Sequence, residues 1–496
     1  MTPTPFEFRD SNFEFAAVVI GAGPAGSVTA RELARRGVRV LLVDQATFPR
    51  PKVCGCCLNV AGVAALEAVG LGHVLRDLGA VPLRRVKLAA GRADADVPLP
   101  GGVAVSRDAL DVALLHEAEG VGATVRTGVR ARIDDGERPR VMLHDVRAWS
   151  TPPPAPPPEG EGCSIPTTSW NPAFADEVPG KEGASSPPFP LREGGPGGLG
   201  GSGLRSAGTG ADVATPPPSP LPQGGRGCPL NSPSRDTAVA EAARGKSVGA
   251  SPPFPLREGG PGGLGGSGLL TPEVIVLASG LPTRTDAARG SRLGAGAVLA
   301  AEAVPAFYAP GTIFMATARG GYVGLVRLED GRLDLAAAFD PAFVKAAGGV
   351  GAAAHDVLKS TRWPLPPGVA GAAWKGTPAL TRTPRAVAGR RTFAVGDAAG
   401  YVEPFTGEGM AWALAGAAAL APIVREASAG WTEAHAAAWR KAHARVVGGR
   451  QGVCRAAARA LRSPTFTRIA VRVLSVLPVL ARPITAALNR PTGRPA

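Results

Sequence analysis

The sequence predicts an α/β protein in which a parallel-sheet domain is interleaved with a smaller, mostly antiparallel β domain and followed by a helical C-terminal region. Three observations favour this class. Residues 17–44 have the order strand, glycine-rich turn, helix and strand. Apolar strand patterns resume after residue 270, where a long Pro/Gly-rich stretch ends. Residues 431–496 contain alanine-rich segments and arginines that can share a helical face.

The first element is the buried apolar strand Ala17–Ile20, which leads into a G-x-G-x-x-G turn and a helix. A second strand, Val38–Val43, follows and ends in Asp44. This unit is typical of dinucleotide binding, because the phosphates sit at the helix N-terminus, where free N–H groups and the helix dipole favour anions. Asp44 can accept hydrogen bonds from both ribose hydroxyls, and its charge argues against a 2′-phosphate.

Each glycine of the turn has a separate role. Gly21 permits the tight turn, Gly23 lets a pyrophosphate approach the backbone, and Gly26 packs the helix against the strand. The motif alone leaves NAD and FAD open. The cofactor contacts predicted for this unit are Gly21, Gly23, Pro24, Ala25, Gly26 and Asp44.

Three later stretches favour FAD. Ser106–Ala118 places Arg107 just before a helix, and Glu273–Gly280 is another buried strand. The third, RTFAVGDAAGYVEPFTGEGMAWALAGAAAL, runs from a strand through Gly396-Asp397 and a loop into a small-residue helix. In this order they resemble the FAD-dependent oxidoreductases with the p-hydroxybenzoate hydroxylase type of fold. PRPKVCG and GDAAGYVEPFTGEGM are most similar to the geranylgeranyl reductase family, and the resemblance covers most of residues 15–147 and 274–424.

The resemblance implies FAD as cofactor, with NADPH or NADH as a transient reductant, since the chain shows a single dinucleotide fingerprint. It places Asp397 at the ribityl–pyrophosphate region and Arg107 on the FAD side of the sheet. The backbone of residues 407–410 then lies beside the isoalloxazine ring, at a helix N-terminus that favours an anionic reduced flavin. The FAD contacts implied in this way are Arg107, Gly396, Asp397, Gly407, Glu408, Gly409 and Met410.

Two positions depart from the family pattern. The usual Asp-Gly after the third strand is here Ser279-Gly280, so one cofactor contact is missing or replaced. Of the aromatic signature expected within residues 320–339, only Tyr322 is present. Halogenation is not expected, because the tryptophan pair and proline of related flavin halogenases are absent from this stretch.

Three cysteines, Cys54, Cys56 and Cys57, lie in the stretch FPRPKVCGCCLN. This spacing is too tight for the usual zinc site, and a C-x-x-C pair here follows a strand-ending loop rather than opening a helix. In the reductase family the matching loop lies across the flavin face. Lys52 can there raise the thiolate fraction of Cys54 or stabilise negative charge, and Cys54 can supply a proton. The alternative is that small residues simply pack beside a bulky ring.

Glu408 is the third candidate catalytic residue, beside Cys54 and Lys52. Both Glu408 and Glu403 flank the flavin loop, where an apolar pocket would raise a carboxyl pKa and suit an acid or a base. The alternative is that both are solvated loop charges. No metal site is expected, because no other cysteine or histidine recurs with ligand spacing.

The net charge of +14 is unevenly distributed, since eight arginines and no Asp, Glu or Lys lie between Gln451 and the C-terminus. No basic run alternates with aromatic residues, so a nucleic-acid partner is not expected. A secretory pattern and an unbroken 18-residue apolar stretch are both absent, which favours a cytoplasmic protein. The tail predicts either an interfacial helix, peripheral at the inner face of the membrane, or a helix packed on the catalytic domain.

Residues 151–270 are dominated by Pro, Gly and Ser, and SPPFPLREGGPGGLGGSGL occurs twice, at Ser186–Leu204 and Ser251–Leu269. Such a segment buries too little apolar surface to offset its ordering entropy, which predicts disorder. The strands RVMLHDV before it and EVIVLAS after it indicate that it extends from a hairpin connection. A proline-rich docking site for a partner is the alternative.

The predicted FAD domain covers residues 14–150, 271–298 and 386–430. The insertion occupies residues 151–270, and the substrate domain consists of residues 299–385 with strands near 81–103. Residues 431–496 form the basic helical region.

The expected function is that of an FAD-dependent oxidoreductase that reduces a C=C bond of a hydrophobic, isoprenoid- or polyketide-like compound. An aromatic monooxygenase of the same fold is one alternative, and a membrane-tethered FAD-binding protein with a docking role is another. A plain NAD dehydrogenase is disfavoured by the Gly396-Asp397 segment.

Overall fold

The computed structural model describes residues 15–134, 138–146, 268–281, 287–383, 386–403 and 407–489. The predicted disorder and docking site of the insertion, 151–270, lie outside these residues except for the last three positions. In the described residues the strands are, in chain order, β1 (Ala17–Ile20), β2 (Val40–Asp44), β3 (Cys57–Leu58), β4 (Val81–Pro82), β5 (Arg85–Ala90), β6 (Ala93–Pro98), β7 (Val103–Ala104), β8 (Thr124–Thr127), β9 (Val129–Asp134), β10 (Arg140–Asp145), β11 (Gly268–Leu270), β12 (Val274–Leu277), β13 (Leu293–Leu299), β14 (Thr312–Ala318), β15 (Gly321–Arg327), β16 (Leu333–Phe339), β17 (Lys375–Ala379), β18 (Ala388–Gly389) and β19 (Thr392–Ala394). The α-helices are α1 (Pro24–Ala34), α2 (Val60–Ala68), α3 (Gly72–Asp77), α4 (Arg107–Gly120), α5 (Pro341–Ala347), α6 (Val350–Lys359), α7 (Glu408–Ala429), α8 (Glu433–His443), α9 (Gly449–Ala460), α10 (Pro464–Val476) and α11 (Arg482–Asn489).

The first sheet has the order β18-β19-β12-β1-β2-β8, and every neighbouring pair except β18–β19 is parallel. Its central strands are continuous apolar runs, as expected of strands covered on both faces. Helix α1 connects β1 to β2 and packs against α4 and α7. The predicted α/β class is therefore confirmed. The second strand is observed at Val40–Asp44, and Arg107 is the first residue of α4 rather than the residue before it.

The helical side of this sheet is closed by α8, which packs on α7 and β18. Its residue Trp439 is fully buried, and the indole Nε1 donates a hydrogen bond to the carbonyl oxygen of Ala394 at 3.0 Å. A buried tryptophan needs such a partner for its one polar atom. The C-terminal helical region thus begins as an integral layer of the first domain.

The opposite face of the first sheet is covered by a three-stranded sheet of order β11-β10-β9. Val141 of β10 packs there against Val18 and Ile275. Strands β10 and β11 are antiparallel, with Leu143 opposite Gly268, so the insertion leaves and re-enters the fold between two paired strands. The strand predicted to follow the insertion, EVIVLAS, does not pair with β10, because it forms β12 of the parallel sheet. The strand that pairs with β10 is β11, at the end of the predicted insertion.

The second sheet has the order β17-β13-β16-β15-β14-β5-β6 and is antiparallel except between β5 and β14. One face packs on α5 and α6 through an apolar cluster that includes Phe314, Leu335 and Trp363. Strand β13 belongs to this sheet, so the predicted domain boundary at residue 299 falls at the end of a strand that lies wholly in the second domain. Of the region near 81–103, β5 and β6 join the sheet, whereas β4 and β7 pair in a small separate sheet with β3.

The predicted helical C-terminus is confirmed through α11, and α10 packs on β5 and β6. Among the described residues, one helix, α7, is long and apolar enough to cross a membrane. In its most apolar window 67% of the residues are buried inside the protein, and α7 packs between α1, α2 and α8. These contacts are those of a core helix.

Candidate active site

A cavity of about 460 Å³ lies between the carboxyl ends of the parallel strands and one face of the second sheet. Its volume is within the range of pockets that hold small-molecule ligands and cofactors. One wall is formed by the β1–α1 turn, Asp44 at the end of β2 and Gly396 after β19. The opposite wall is formed by side chains of β14, β15 and β16. Ligands of open α/β sheets bind at this edge, because the chain turns there leave a crevice outside the strand ends.

The glycines of the β1–α1 turn are required by close backbone contacts. A Cβ on Gly21, whose φ is +107°, would lie 2.3 Å from the carbonyl oxygen of Ala278. A Cβ on Gly26 would lie 1.8 Å from the carbonyl oxygen of Gly21. Gly23 differs, since a Cβ there would meet only guanidinium nitrogens of Arg50 and Arg107, each at 3.8 Å. The turn is therefore tight behind the glycines and open toward two cations.

The N-terminus of α1 faces this opening. Gly23 is its N-cap, Pro24 occupies the first turn, and no side chain caps the free N–H groups. Pro24 and Ala25 line the cavity beside Arg50 and Arg107. Uncapped amides, a helix dipole and two guanidinium groups together form a site for a pyrophosphate, so the predicted FAD cradle fits the residues present.

Asp44 lies at the cavity edge and is held by backbone amides. Its Oδ2 accepts a hydrogen bond from Ala22 N at 2.8 Å and its Oδ1 accepts one from Ala46 N at 2.9 Å. Arg50 Nη2 lies 3.7 Å from Asp44 Oδ2. The carboxylate is thus oriented at the end of β2, where the sequence predicts a ribose contact.

Arg107 is buried and held in a two-bond pair with Asp111. Its Nε donates to Asp111 Oδ1 at 2.8 Å, and its Nη2 donates to Oδ2 of the same carboxylate at 2.9 Å. The same guanidinium is in hydrogen-bonding contact with the Cys54 thiol. Planar, bidentate pairing fixes the guanidinium in place. Arg107 therefore connects the cofactor side of the cavity with the cysteine stretch.

Lys52 lines the cavity near Asp397 and Gly280. Its charge interacts with Asp397, and its Nζ lies 3.3 Å from the position of a Cβ on Gly280. Burial lowers the pKa of Lys52, and burial likewise raises the pKa of Asp397. Of the two roles predicted for Lys52, raising the thiolate fraction of Cys54 is not supported, because the cation in contact with that thiol is Arg107. The other role, stabilising negative charge on substrate or flavin, stays a prediction. Lys52 stands beside Ser279-Gly280, where the family pattern has an aspartate.

Three side chains form a chain of contacts in the cavity wall, from Cys54 through Cys56 to Asp334. The Cys54 thiol faces the cavity and is hydrogen-bonded to Cys56, which in turn contacts the carboxyl group of Asp334. The hydrogen bond from Cys56, aided by the charge of Arg107, lowers the pKa of Cys54 to about 6 against the effect of burial. The pKa of Cys56 is raised by its bond to Cys54 and by burial. Burial also raises the pKa of Asp334 well above its ordinary value, which favours the protonated carboxyl group.

Asp334 was missed in the sequence. It is 4% exposed, it lines the cavity, and in the described structure its Oδ2 has no hydrogen-bond partner. The signal was present in the alternation Leu333-Asp334-Leu335, where an acid lies on the opposite strand face from two buried leucines. A buried, incompletely bonded carboxyl group in a cavity wall is a candidate ligand or proton-transfer group.

Gly407, Gly409 and Met410 line the cavity as predicted for the start of α7, and Gly407 has φ +79°. A Cβ on Gly407 would lie 2.5 Å from the carbonyl oxygen of Cys57, so α7 begins directly against the cysteine stretch. Glu408 is 2% exposed and is not one of the described residues that line the cavity. The catalytic role of Glu408 stays a prediction.

Glu403 is not a solvated loop charge, which corrects that alternative. It is buried, and its Oε1 lies 3.3 Å from Arg292 Nη1, both side chains being 2% exposed. Tyr322, the remaining aromatic residue of the family signature, hydrogen-bonds to Glu403 and lines the cavity. Burial raises the pKa of Glu403, with the charge of Arg292 opposing. This ion pair joins the start of β13 to the loop before α7.

In the described part of the chain, Cys54, Cys56, Cys57 and Cys454 are free thiols. The described residues contain no group of three or more His, Cys, Asp or Glu side chains that could hold a metal ion. Trp363 packs in the apolar cluster of the second domain.

Comparison with known proteins agrees with this geometry. Residues 14–148 match the FAD binding domain family. Menaquinone reductase of Mycobacterium tuberculosis is 41% identical over 120 residues, which are 23% of this chain and 29% of that protein. Digeranylgeranylglycerophospholipid reductase of Picrophilus torridus is 31% identical over 134 residues, which are 25% of this chain and 33% of that protein. The chain thus spans about a third or less of the length of these curated relatives.

The similarity to solved structures extends over most of the chain. The myxobacterial chondrochloren halogenase CndH, an FAD-dependent halogenase, superposes with a TM-score of 0.56 over 88% of this chain and 81% of that one, at 16% identity. At this identity the likeness shows the fold alone. The chain therefore has an FAD binding domain and a fold shared with FAD-dependent enzymes.

Proposed function

We propose that the protein is an FAD-dependent reductase that saturates a C=C bond of a hydrophobic, isoprenoid- or polyketide-like substrate. The observation that carries the proposal is the cavity itself, in which a dinucleotide cradle, an apolar sheet face and an acid–thiol chain meet. The names of two curated relatives, a menaquinone reductase and a digeranylgeranylglycerophospholipid reductase, support a reduction of this substrate class.

The residues that would hold FAD lie along one wall. The pyrophosphate would lie at Gly23 and the N-terminus of α1, between Arg50 and Arg107, and Asp44 would hold the ribose. The start of α7 and the Gly396-Asp397 turn line the same wall. Reduced FAD would supply a hydride to the substrate, and the single dinucleotide turn implies that NADPH or NADH visits only transiently.

The substrate wall excludes water by its composition. The side chains that β14, β15 and β16 turn toward the cavity are mainly apolar, and Leu380 extends the same cluster. Each apolar ligand group buried there contributes about 0.8 kcal/mol per CH₂. A long hydrocarbon is the ligand that such a wall favours. The lining residues that contribute to it are Ile313, Met315, Val326, Ala336, Ala338 and Leu380.

Reduction of a C=C bond needs a proton as well as a hydride, and the acid–thiol chain is placed to provide it. Cys54 would donate the proton of its thiol form, which is the larger fraction only below its pKa of about 6, and would remain a thiolate beside Arg107. Cys56 passes its proton to Cys54 and takes one from the protonated carboxyl group of Asp334. Asp334 is left ionised and regains a proton from solvent. One proton thus leaves the site for each double bond reduced.

The experiment is an anaerobic half-reaction. The purified protein is first shown to bind FAD by its visible spectrum and is then reduced with NADPH or NADH without oxygen. A polyprenyl quinone or a polyprenyl lipid is added, and the return of the oxidised flavin spectrum is followed together with the mass of the lipid. A gain of two hydrogens by the lipid in the absence of air supports the reductase.

A second arm admits air instead of lipid. The protein would be a monooxygenase and not a reductase if the flavin reoxidises fast, oxygen is consumed in step with an aromatic substrate, and oxygen enters the product. The Cys54→Ser variant should slow only the lipid-dependent step, and Cys57→Ser is its matched control, because Cys57 also lines the cavity but is not part of the thiol chain. Equal rates in all three proteins would remove Cys54 from the mechanism.

A further inference from the structure

Exposed apolar side chains are concentrated in the segment from α10 to α11. Of the fourteen large apolar residues that are exposed in the described part of the chain, eight lie within residues 466–484. Soluble monomers rarely expose contiguous apolar patches of large size unless the patch binds something. This C-terminal apolar surface consists of Phe466, Ile469, Val473, Val476, Leu477, Val479, Leu480 and Ile484, which are 43–77% exposed.

Helix α10 uses only one face for packing. Thr467 and Val471 are buried, with Val471 against the β5–β6 hairpin. A second apolar stripe lies on a different face, because Ile469, Val473 and Val476 recur at four- and three-residue spacing and all remain exposed. A helix with one apolar stripe against the protein and another against solvent has a second binding surface.

The charges that flank this second stripe are all positive. At 100° per residue, Arg468 and Arg472 lie between the buried face of α10 and its exposed stripe, and both are exposed. Arg482 is exposed at the start of α11. From residue 451 to 489 the chain contains no Asp, Glu or Lys. Arginine side chains beside an apolar stripe can extend their guanidinium groups to the level of lipid phosphates while the stripe enters the acyl region.

We propose that the C-terminal apolar surface docks on the surface of an anionic phospholipid bilayer. Apolar side chains and arginines match the two layers of that surface, the hydrocarbon and the negative headgroups. A second copy of the chain is a poorer partner, because pairing two such stripes brings Arg468 and Arg472 of both copies together in a segment without carboxylates. Binding of this surface to a bilayer does not depend on the reaction that the cavity performs.

The docked surface is connected to the cavity. Leu474 of α10 and Ala481 before α11 belong to the same apolar cluster as Met315 and Tyr322, which line the cavity. Docking would therefore hold the cavity next to the bilayer. If the proposed function holds, a hydrophobic substrate dissolved in the membrane reaches the cavity without crossing water.

The test measures binding of the purified full-length protein to vesicles by flotation. Vesicles of phosphatidylcholine alone are compared with vesicles that contain phosphatidylglycerol, at low and high salt. The protein should bind the anionic vesicles, and binding should weaken with salt. The Arg468→Gln, Arg472→Gln double variant should bind roughly 30-fold more weakly, since each surface arginine contributes about one factor of five. The Ile469→Ser, Val476→Ser variant should lose at least about tenfold.

Matched controls separate the surface from general effects. Arg76→Gln with Arg130→Gln removes two exposed arginines elsewhere, and Leu365→Ser removes an exposed apolar residue of the second domain. Both controls should bind as the parent does. The proposal is overturned if the full-length protein does not bind anionic vesicles. It is also overturned if both surface variants bind these vesicles as tightly as the parent protein does. A dimer in solution that dissociates in Ile469→Ser, Val476→Ser while vesicles stay unbound would also overturn it and would identify a second copy as the occupant.

Discussion

Replacing Cys56 with alanine tests the acid–thiol chain at its centre. In the intact site the hydrogen bond from Cys56 is the largest effect on Cys54, and with the charge of Arg107 it lowers the pKa of Cys54 to about 6. Cys56 has φ +48°, but alanine keeps the same Cβ, so the substitution leaves the backbone strain unchanged. The variant therefore removes a donor without altering the turn.

The size of the effect follows from the strength of that bond. A hydrogen bond to a charged group contributes about 1.5–3 kcal/mol, and about 1.4 kcal/mol shifts a pKa by one pH unit. Cys56→Ala should therefore raise the Cys54 midpoint by about 1–2 pH units. At pH 7 the thiolate fraction of Cys54 should fall from about nine-tenths to between roughly one-half and one-tenth.

The assay is the rate of iodoacetamide alkylation of Cys54 against pH, on the cofactor-free protein, with tandem mass spectrometry to locate the label. Cys57→Ala is the matched control, because it removes a neighbouring buried thiol that does not bond to Cys54. The parent and the control should share a midpoint near pH 6. An unchanged midpoint in Cys56→Ala, or an equal rise in the control, would refute the thiol chain.

Three further predictions concern the cradle, the buried ion pair and the buried acid. Gly26→Ala should abolish FAD binding, because its Cβ would lie 1.8 Å from a backbone oxygen, whereas Gly120→Ala, with open space around it, should keep the flavin absorbance at one FAD per chain. Arg292→Ala should lower the unfolding free energy by about 3–5 kcal/mol in urea, since it leaves Glu403 buried and unpaired, and a double Arg292→Met, Glu403→Leu variant should recover most of that loss. Burial raises the pKa of Asp334, so the folded state binds this proton more tightly than the unfolded state does and loses stability as pH rises above about 4 toward the folded value. Asp334→Asn should therefore gain unfolding free energy over the parent at pH 8 but not at pH 4, and an equal difference at both values would contradict the raised pKa.

The dinucleotide turn could be predicted to the residue because its causes are local. Gly21 and Gly26 are required by contacts within the strand, the turn and the next strand, and the order of those elements is visible in 30 residues of sequence. The same holds for the parallel sheet, since continuous apolar strands separated by a helix leave few topologies open. Local steric rules and connection rules were therefore sufficient to predict the first domain.

The cavity wall depended on pairing at long range. Glu403 reads as a loop charge until the fold brings it to Arg292, 111 positions away in the chain. The alternation around Asp334 places it on one face of β16, but only the register of seven strands shows that this face is the cavity. Lys52 and Arg107 were both recognised as cations, but the contact of Arg107 with Cys54 depends on side-chain directions that spacing does not report.

The hairpin that frames the insertion has a consequence for how this gene can change. Leu143 and Gly268 lie directly opposite each other, so the chain leaves and re-enters the fold at one point whatever lies between. The entropic cost of a flexible connection grows only with the logarithm of its length, about 0.6 kcal/mol for each doubling. A duplication within this connection therefore costs little stability, and two identical, non-adjacent copies of SPPFPLREGGPGGLGGSGL are what such a duplication leaves. The junction is a site of evolutionary tolerance, where foreign sequence can accumulate before any use for it exists.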